Sequence, residues 1–165
     1  MGVKTPAWKT PNQVECRRKK TMTTPFVMLV DDEAPFIETM TKRLEKRSLN
    51  VKTALSGQSG LEVLGENPSI DVIILDVKMP GMDGIETLRK IKAAYPLTEV
   101  IMLTAHATVE SAIEGMKLGA FDYLMKPCDM EQLMSKVQEA TRKKRDHEEK
   151  IRVAKVKEAL TKYGM

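Results

Sequence analysis

Short uninterrupted apolar runs alternate along this chain with longer segments whose apolar residues recur every three or four positions. Runs of the first kind fit strands buried on both faces, and segments of the second fit helices with one buried face. Phe26-Val27-Met28-Leu29-Val30, Val72-Ile73-Ile74-Leu75, Val100-Ile101-Met102-Leu103 and Phe121-Asp122-Tyr123-Leu124-Met125 read as strands, with a shorter one at Val51-Lys52-Thr53-Ala54. Between them, Phe36, Ile37, Met40 and Leu44 share the face of a helix that tolerates Pro35 in its first turn. Leu61 and Leu64 indicate a short helix between Gly57 and Gly65. A third helix runs from about Ile85 to Ala94 and stops ahead of Pro96. Residues 107–118 form a fourth, with Val109, Ala112, Ile113 and Met116 on one face. The last helix follows Asp129, an N-cap with Gln132 in the capping-box position, and turns Leu133, Met134 and Val137 inward. Five strands alternating with five helices predict an α/β domain, a parallel sheet covered on both faces.

Composition adds boundaries. Residues 1–25 have no hydrophobic period, contain Pro6, Pro11 and Pro25, and carry the run Arg17-Arg18-Lys19-Lys20. They read as a disordered basic leader, with Trp8 lacking an apolar neighbourhood and Met22 a plausible true start. Residues 26–140 make the folded domain, and 141–165 a charged helical tail in which Ile151, Val153, Val156 and Leu160 are weakly amphipathic. That tail extends the last helix, packs separately or frays. The net charge of +4 is unevenly spread: the two ends carry +5 each and the middle −6. Basic ends can meet nucleic acid or an anionic surface, but solvated ends are the simpler expectation. No apolar run reaches membrane-spanning length, and the basic N-terminus is not followed by the apolar stretch of a secretory signal. Cys16 and Cys128 are the only cysteines and show no metal-ligand spacing, so a reducing cytoplasm is expected.

The polar residues that close the strands carry the chemistry. The runs end on Asp31-Asp32-Glu33, on Asp76, on Thr104 and on Lys126-Pro127. In a parallel sheet these ends share one edge, where open α/β folds place their ligands. Each residue alone has an ordinary explanation: Asp76 as a cap, Thr104 and Tyr123 as strand packing, Lys126 as a solvated charge. Together they do not. Converging carboxylates repel unless a cation lies among them, and hard oxygen ligands suit Mg²⁺. Lys126 adds positive charge and Thr104 a hydroxyl donor. Carboxylate nucleophile, Mg²⁺, Lys and Thr suffice for phosphoryl transfer, with an aspartyl phosphate as product.

Over residues 26–140 the chain resembles the receiver domain of bacterial two-component response regulators. The matching residues are Asp31-Asp32, Asp76 within Leu75-Asp76-Val77-Lys78-Met79-Pro80-Gly81-Met82-Asp83-Gly84, Thr104-Ala105, Tyr123 and Lys126-Pro127. The resemblance implies a flavodoxin-like (βα)5 doubly wound sheet with strand order 2-1-3-4-5. It implies that Asp76 is the phosphoacceptor, and that Asp32, Asp76 and the backbone carbonyl of Lys78 bind Mg²⁺ directly, Asp31 acting through a metal-bound water. Lys126 would pair with the phosphoryl group, and the Lys126-Pro127 peptide would be cis. Thr104 and Tyr123 would be the switch pair, Thr104 moving toward the phosphate and Tyr123 turning inward behind it. Ala105 leaves room for phosphate. His106, two residues past Thr104, faces either that site or solvent; His147 lies in a charged run and is expected to be exposed.

The implied function is that of a phosphoacceptor served by a sensor histidine kinase or a phosphotransfer protein. It signals to a downstream protein, or through a phosphorylation-dependent homodimer, by a changed face formed by the fourth helix, fifth strand and fifth helix. Membrane and nucleic acid are not expected partners. The chain would assist its own phosphorylation and dephosphorylation without being an enzyme in the metabolic sense. The tail is too short for a DNA-binding or ATPase domain, so a stand-alone receiver is expected rather than a fragment of a longer regulator. Two other readings stay open: a DNA-binding transcriptional regulator acting through the basic ends, and a phosphomonoester hydrolase, which needs a general acid that only His106 could supply.

Overall fold

The computed structural model describes residues 24–164. The expectations for the leader, Trp8, Cys16 and Met22 lie outside the described residues. Five strands, β1 (Phe26–Val30), β2 (Asn50–Ala54), β3 (Val72–Leu75), β4 (Glu99–Thr104) and β5 (Asp122–Met125), alternate with five helices. The helices are α1 (Ala34–Glu45), α2 (Gly57–Glu66), α3 (Gly84–Ala94), α4 (Val109–Lys117) and α5 (Met130–Lys162). All neighbouring strands pair in parallel, in the order β2-β1-β3-β4-β5. The expected doubly wound topology is therefore present.

The unbroken apolar runs follow from the two covered faces. Val27, Leu29, Val72, Ile74, Ile101, Leu103 and Leu124 face α1 and α5, where they meet Ile37, Met40, Leu44, Leu133 and Val137. The alternate residues Met28, Val30, Ile73, Leu75, Val100 and Met102 face the other side and pack with Leu64, Ile85, Leu88 and Ile91. With both faces buried, polar alternation has no place in β1, β3 or β4.

Two details differ from expectation, and a third decides between open alternatives. Asp129 caps α5 by accepting from the Glu131 amide at 3.3 Å, a contact with N2 rather than a box with Gln132. The apolar stripe of α4 faces outward: Val109, Ile113 and Met116 are 72%, 49% and 48% exposed, and Gly115 is the buried residue of that helix. Periodicity defines a face but not what it faces. Third, α5 is a single helix of 33 residues, about 50 Å long at 1.5 Å per residue. Of the three options for the tail, extension is the one observed. From Asp146 onward every described side chain is exposed, and no helix among the described residues is long and apolar enough to cross a membrane.

The extended α5 is fastened at the amino edge of the sheet. Lys144, 4% exposed, donates to the carbonyl of Ile70 at 3.0 Å and lies 3.6 Å from Asp71 Oδ1. Arg145 reaches Asp71 Oδ2 at 2.9 Å and the Thr24 carbonyl at 3.1 Å. Asp71 Oδ2 also accepts from the Phe26 amide, and Lys143 sits 3.6 Å from the buried Glu99.

Candidate functional site

At the carboxyl edge the ladder continues one residue past each strand. Val30 pairs with Leu75, so Asp31 and Asp76 follow side by side. The Asp76 amide donates to the Val30 carbonyl at 3.0 Å, and the Lys126 amide to the Thr104 carbonyl at 2.9 Å. These backbone bonds fix the carboxylates and the lysine. Oxygens of Asp31, Asp32 and Asp76 lie within 4.8 Å of one another, with Asp31 and Asp76 buried and Asp32 exposed. Lys126 Nζ is 2.5 Å from Asp31 Oδ2 and 4.0 Å from Asp76 Oδ2. It also stands 3.8 Å above the centroid of the Phe36 ring, a cation–π contact that closes one side. The Lys126-Pro127 peptide is cis, as the resemblance implied.

The turn after β3 holds Asp76 in place. Its carboxylate accepts from the Val77 amide at 2.8 Å, and the Gly84 amide donates to the Val77 carbonyl at 2.7 Å. A Cβ at Gly84 would overlap the Asp76 carbonyl oxygen and the Val77 Cα, so α3 can start this close only with glycine there. Gly81 supplies the left-handed step at φ 75°. Asp83 caps α3 through the Glu86 amide at 2.8 Å.

Burial pushes the Asp76 carboxyl above its ordinary pKa; the Thr104 hydroxyl draws it down, Asp31 raises it, and Lys126 and the Val77 amide lower it. Thr104 is buried, and its Oγ1 accepts from the His106 amide at 3.0 Å. The site thus gathers Asp31, Asp32, Asp76, Thr104 and Lys126. Lys78 lies exposed in the turn after Asp76, on the wall of a cleft of about 310 Å³ that it shares with Val77, His106, Ala107, Thr108 and Ser111. The His106 residue is exposed there, and so is His147 on α5. Tyr123 is half-buried, and its hydroxyl meets Ser111 Oγ at 2.7 Å. Sequence reasoning missed two contributors. Phe36 counted only as core, although it follows the acidic pair within one helical turn. Ser111 stands three residues after Thr108, a Thr-x-x-Ser capping pair that could have been read as such.

A doubly wound α/β sheet with an acid cluster, a lysine and a threonine at its carboxyl edge defines the class. A family model described as the response regulator receiver domain matches residues 27–138, and the chain belongs to that family. Transcriptional regulatory protein ZraR of Escherichia coli K12 is 39% identical over 114 residues, 69% of this chain and 26% of that protein. DNA-binding transcriptional regulator NtrC of the same strain is 36% identical over 115 residues, 70% of this chain and 24% of that one. The chain spans about a quarter of the length of these curated relatives. A solved response regulator receiver domain protein from Clostridium thermocellum superposes with a TM-score of 0.71 at 38% identity, covering 73% of this chain and 97% of that one. A structure described as adenylate cyclase from Rhodopirellula baltica gives 0.75 at 27% identity and covers 81% and 98%. Membership implies an encounter with a sensor kinase or another phosphodonor. The expectation against nucleic acid finds no support here, since NtrC is by name DNA-binding.

Proposed function

We propose that the chain is a phosphoacceptor that takes a phosphoryl group from a phosphohistidine onto Asp76 and passes the signal on by surface contact. The observation that carries this reading is the position of Asp76. It is a buried carboxylate lying 4.0 Å from one ammonium and grouped with two further acids. Three carboxylates against one lysine leave excess negative charge, which favours a divalent cation. Their oxygens lie within 4.8 Å of one another, and hard carboxylate oxygens are the ligands Mg²⁺ takes. Asp31, Asp32 and Asp76 would hold the ion, with the Lys78 carbonyl as a further ligand; when bound, it offsets charge on the phosphoryl oxygens.

An Asp76 oxygen attacks phosphorus in line, the P–N bond breaks, and its electron pair leaves on the imidazole nitrogen, which takes up a proton. Lys126 and the Thr104 hydroxyl supply positive charge and a donor to the transferred oxygens. Hydrolysis returns the carboxylate, and the chain has no metabolic substrate. The added charge of nearly two units then draws Thr104 and biases the α4–β5–α5 face. Exposure of Val109, Ile113, Met116 and Met125 supports that face as the output surface, toward a protein partner or a second copy. Cytoplasmic residence follows from this reading, because the donor kinase acts there.

The test is incubation with acetyl phosphate and Mg²⁺ followed by mass measurement. One added phosphoryl group in the parent chain and none in Asp76→Ala is expected; equal labelling of both would overturn the assignment. The names of ZraR and NtrC favour a second reading, in which the output is control of transcription. Salt-sensitive DNA binding by the purified chain, its log affinity falling linearly with log salt, would support it. Binding no tighter than the blank would sink it for this chain.

A further inference from the structure

We infer that Ser111 is a positioning residue of the switch: its hydroxyl latches Tyr123 to the N-terminal cap of α4 and holds the unphosphorylated arrangement. This rests on the phosphoacceptor function proposed above. The argument begins with how little else holds α4. Its apolar side chains Val109, Ile113 and Met116 point to solvent, and Gly115 is its buried residue. A Cβ at Gly115 would meet Tyr123 Cδ2 and Met102 Cγ, each at 3.8 Å, and Ile85 Cδ1 at 3.9 Å, so α4 rests on the Tyr123 ring together with Met102 and Ile85. The charged tie from Arg89 to Glu114 is 3.6 Å long with both side chains more than half exposed, which gives it little weight. Against these, Ser111 Oγ and the Tyr123 hydroxyl meet at 2.7 Å, the usual distance for a hydroxyl pair.

Ser111 is at the same time part of the α4 cap. Its amide donates to Thr108 Oγ1 at 3.1 Å, and its Oγ accepts from the Thr108 amide at 3.2 Å. Thr108 closes the short loop that begins at Thr104. At the other end of that loop, Thr104 Oγ1 accepts from the His106 amide at 3.0 Å. A shift of Thr104 toward a phosphoryl group on Asp76 therefore pulls on the 105–108 segment, and through the cap on the anchor of Tyr123. Thr104 and Tyr123 are coupled along the chain as well as through space, and Ser111 is where that path reaches the phenol. The latch favours the resting state, so its removal shifts the switch equilibrium toward the responsive one by about two- to tenfold, the worth of one neutral hydrogen bond. By linkage, a ligand that selects the responsive state then binds tighter by up to the same factor.

The test uses the full chain labelled with fluorotyrosine. Its three tyrosines, Tyr95, Tyr123 and Tyr163, give separate fluorine resonances, with Tyr123 assigned by its loss in Tyr123→Phe. In Mg²⁺ alone, Ser111→Ala should move the Tyr123 resonance toward its beryllofluoride position and lower the half-saturating beryllofluoride concentration about two- to tenfold. Ser111→Thr, which keeps the hydroxyl, should restore both. Thr108→Ala loosens the cap but spares the Tyr123 contact, and should leave the resonance near its parent position. A Tyr123 resonance unmoved by Ser111→Ala overturns the inference, as does an equal movement in Thr108→Ala, which would reduce Ser111 to a helix cap. Acetyl phosphate labelling of Asp76 is measured alongside. Normal labelling with an unmoved resonance refutes the latch alone, whereas no labelling and no beryllofluoride response in the parent chain refute the phosphoacceptor reading and the latch with it.

Discussion

At the carboxyl edge of the sheet, Asp31 and Asp76 are buried beside the exposed Asp32 with one ammonium, Lys126, among them. At the amino edge, Asp71 and Glu99 are buried among Lys92, Lys143, Lys144 and Arg145. The two clusters use the same chemistry in opposite proportions. Taking a charge out of water is costly unless it is paired. At the amino edge four cations answer two carboxylates, so the cluster is closed and acts as a clamp between α5 and the sheet. At the carboxyl edge the acids outnumber the cation, and the deficit is what an incoming ion and phosphoryl group can fill. Buried acids alone do not distinguish a site from a fastening; the local charge balance does.

The comparison breaks most sharply at Asp71. Asp71→Ala leaves Lys144 buried with two carbonyls and a half-exposed Glu148, and leaves the Phe26 amide without its acceptor. Loss of one partner from a buried pair costs about 3–5 kcal/mol, to be read from the urea midpoint. Asp76 labelling by acetyl phosphate in the folded protein should stay as in the parent. A destabilisation below about 1 kcal/mol, the range of exposed pairs, would show that the amino-edge cluster is not a clamp.

Lys126→Ala should have a smaller effect on stability, and one that depends on conditions. Asp31 loses its ammonium and two buried carboxylates face each other, at a cost of about 2 kcal/mol in EDTA. Millimolar Mg²⁺ should recover much of that, because binding to the folded state stabilises it in proportion to occupancy. The same additions should raise Asp71→Ala only as much as the parent and leave its deficit unchanged, because its acid cluster at the carboxyl edge is intact. Equal Mg²⁺ rescue of both variants would erase the distinction between the two edges.

The carboxyl-edge cluster was legible in the sequence because parallel strands with unambiguous apolar runs must bring Asp31, Asp76, Thr104 and Lys126 to one side. Strand order was not contained in that pattern and came from the resemblance. The amino-edge clamp went unread for a physical reason: Arg142-Lys143-Lys144-Arg145 reads as a solvated run. Yet Lys144 continues the inward spacing of Leu133, Val137 and Ala140, and its long stem lets a charged residue occupy a buried stripe. The outward stripe of α4 shows the converse, with correct periodicity but the opposite surroundings. The Ser111–Tyr123 contact joins residues twelve apart on different elements, and no local pattern encodes it.

The smallest effect in this series lies at the carboxyl edge, and its sign is opposite to that of a charge loss at the amino edge. Burial raises the Asp76 carboxyl in the folded protein, so the folded state holds its proton to higher pH than the unfolded chain does. Between the unfolded value near 3.8 and the raised folded value, stability therefore falls as pH rises, and above both the full penalty is present. Asp76→Asn removes that ionisation. In EDTA at pH 7 it should raise the urea midpoint above the parent, and the gain should shrink to nothing as pH approaches 4. Asp71→Asn at pH 7 should instead lower the midpoint, because the carboxylate there answers Lys144 and Arg145. Mg²⁺ should shrink or reverse the advantage of Asp76→Asn by stabilising only the parent carboxylate. A gain for Asp76→Asn that is the same at pH 4 and pH 7 would mean that its origin is packing, and that the acid at the end of β3 is not held against its own charge.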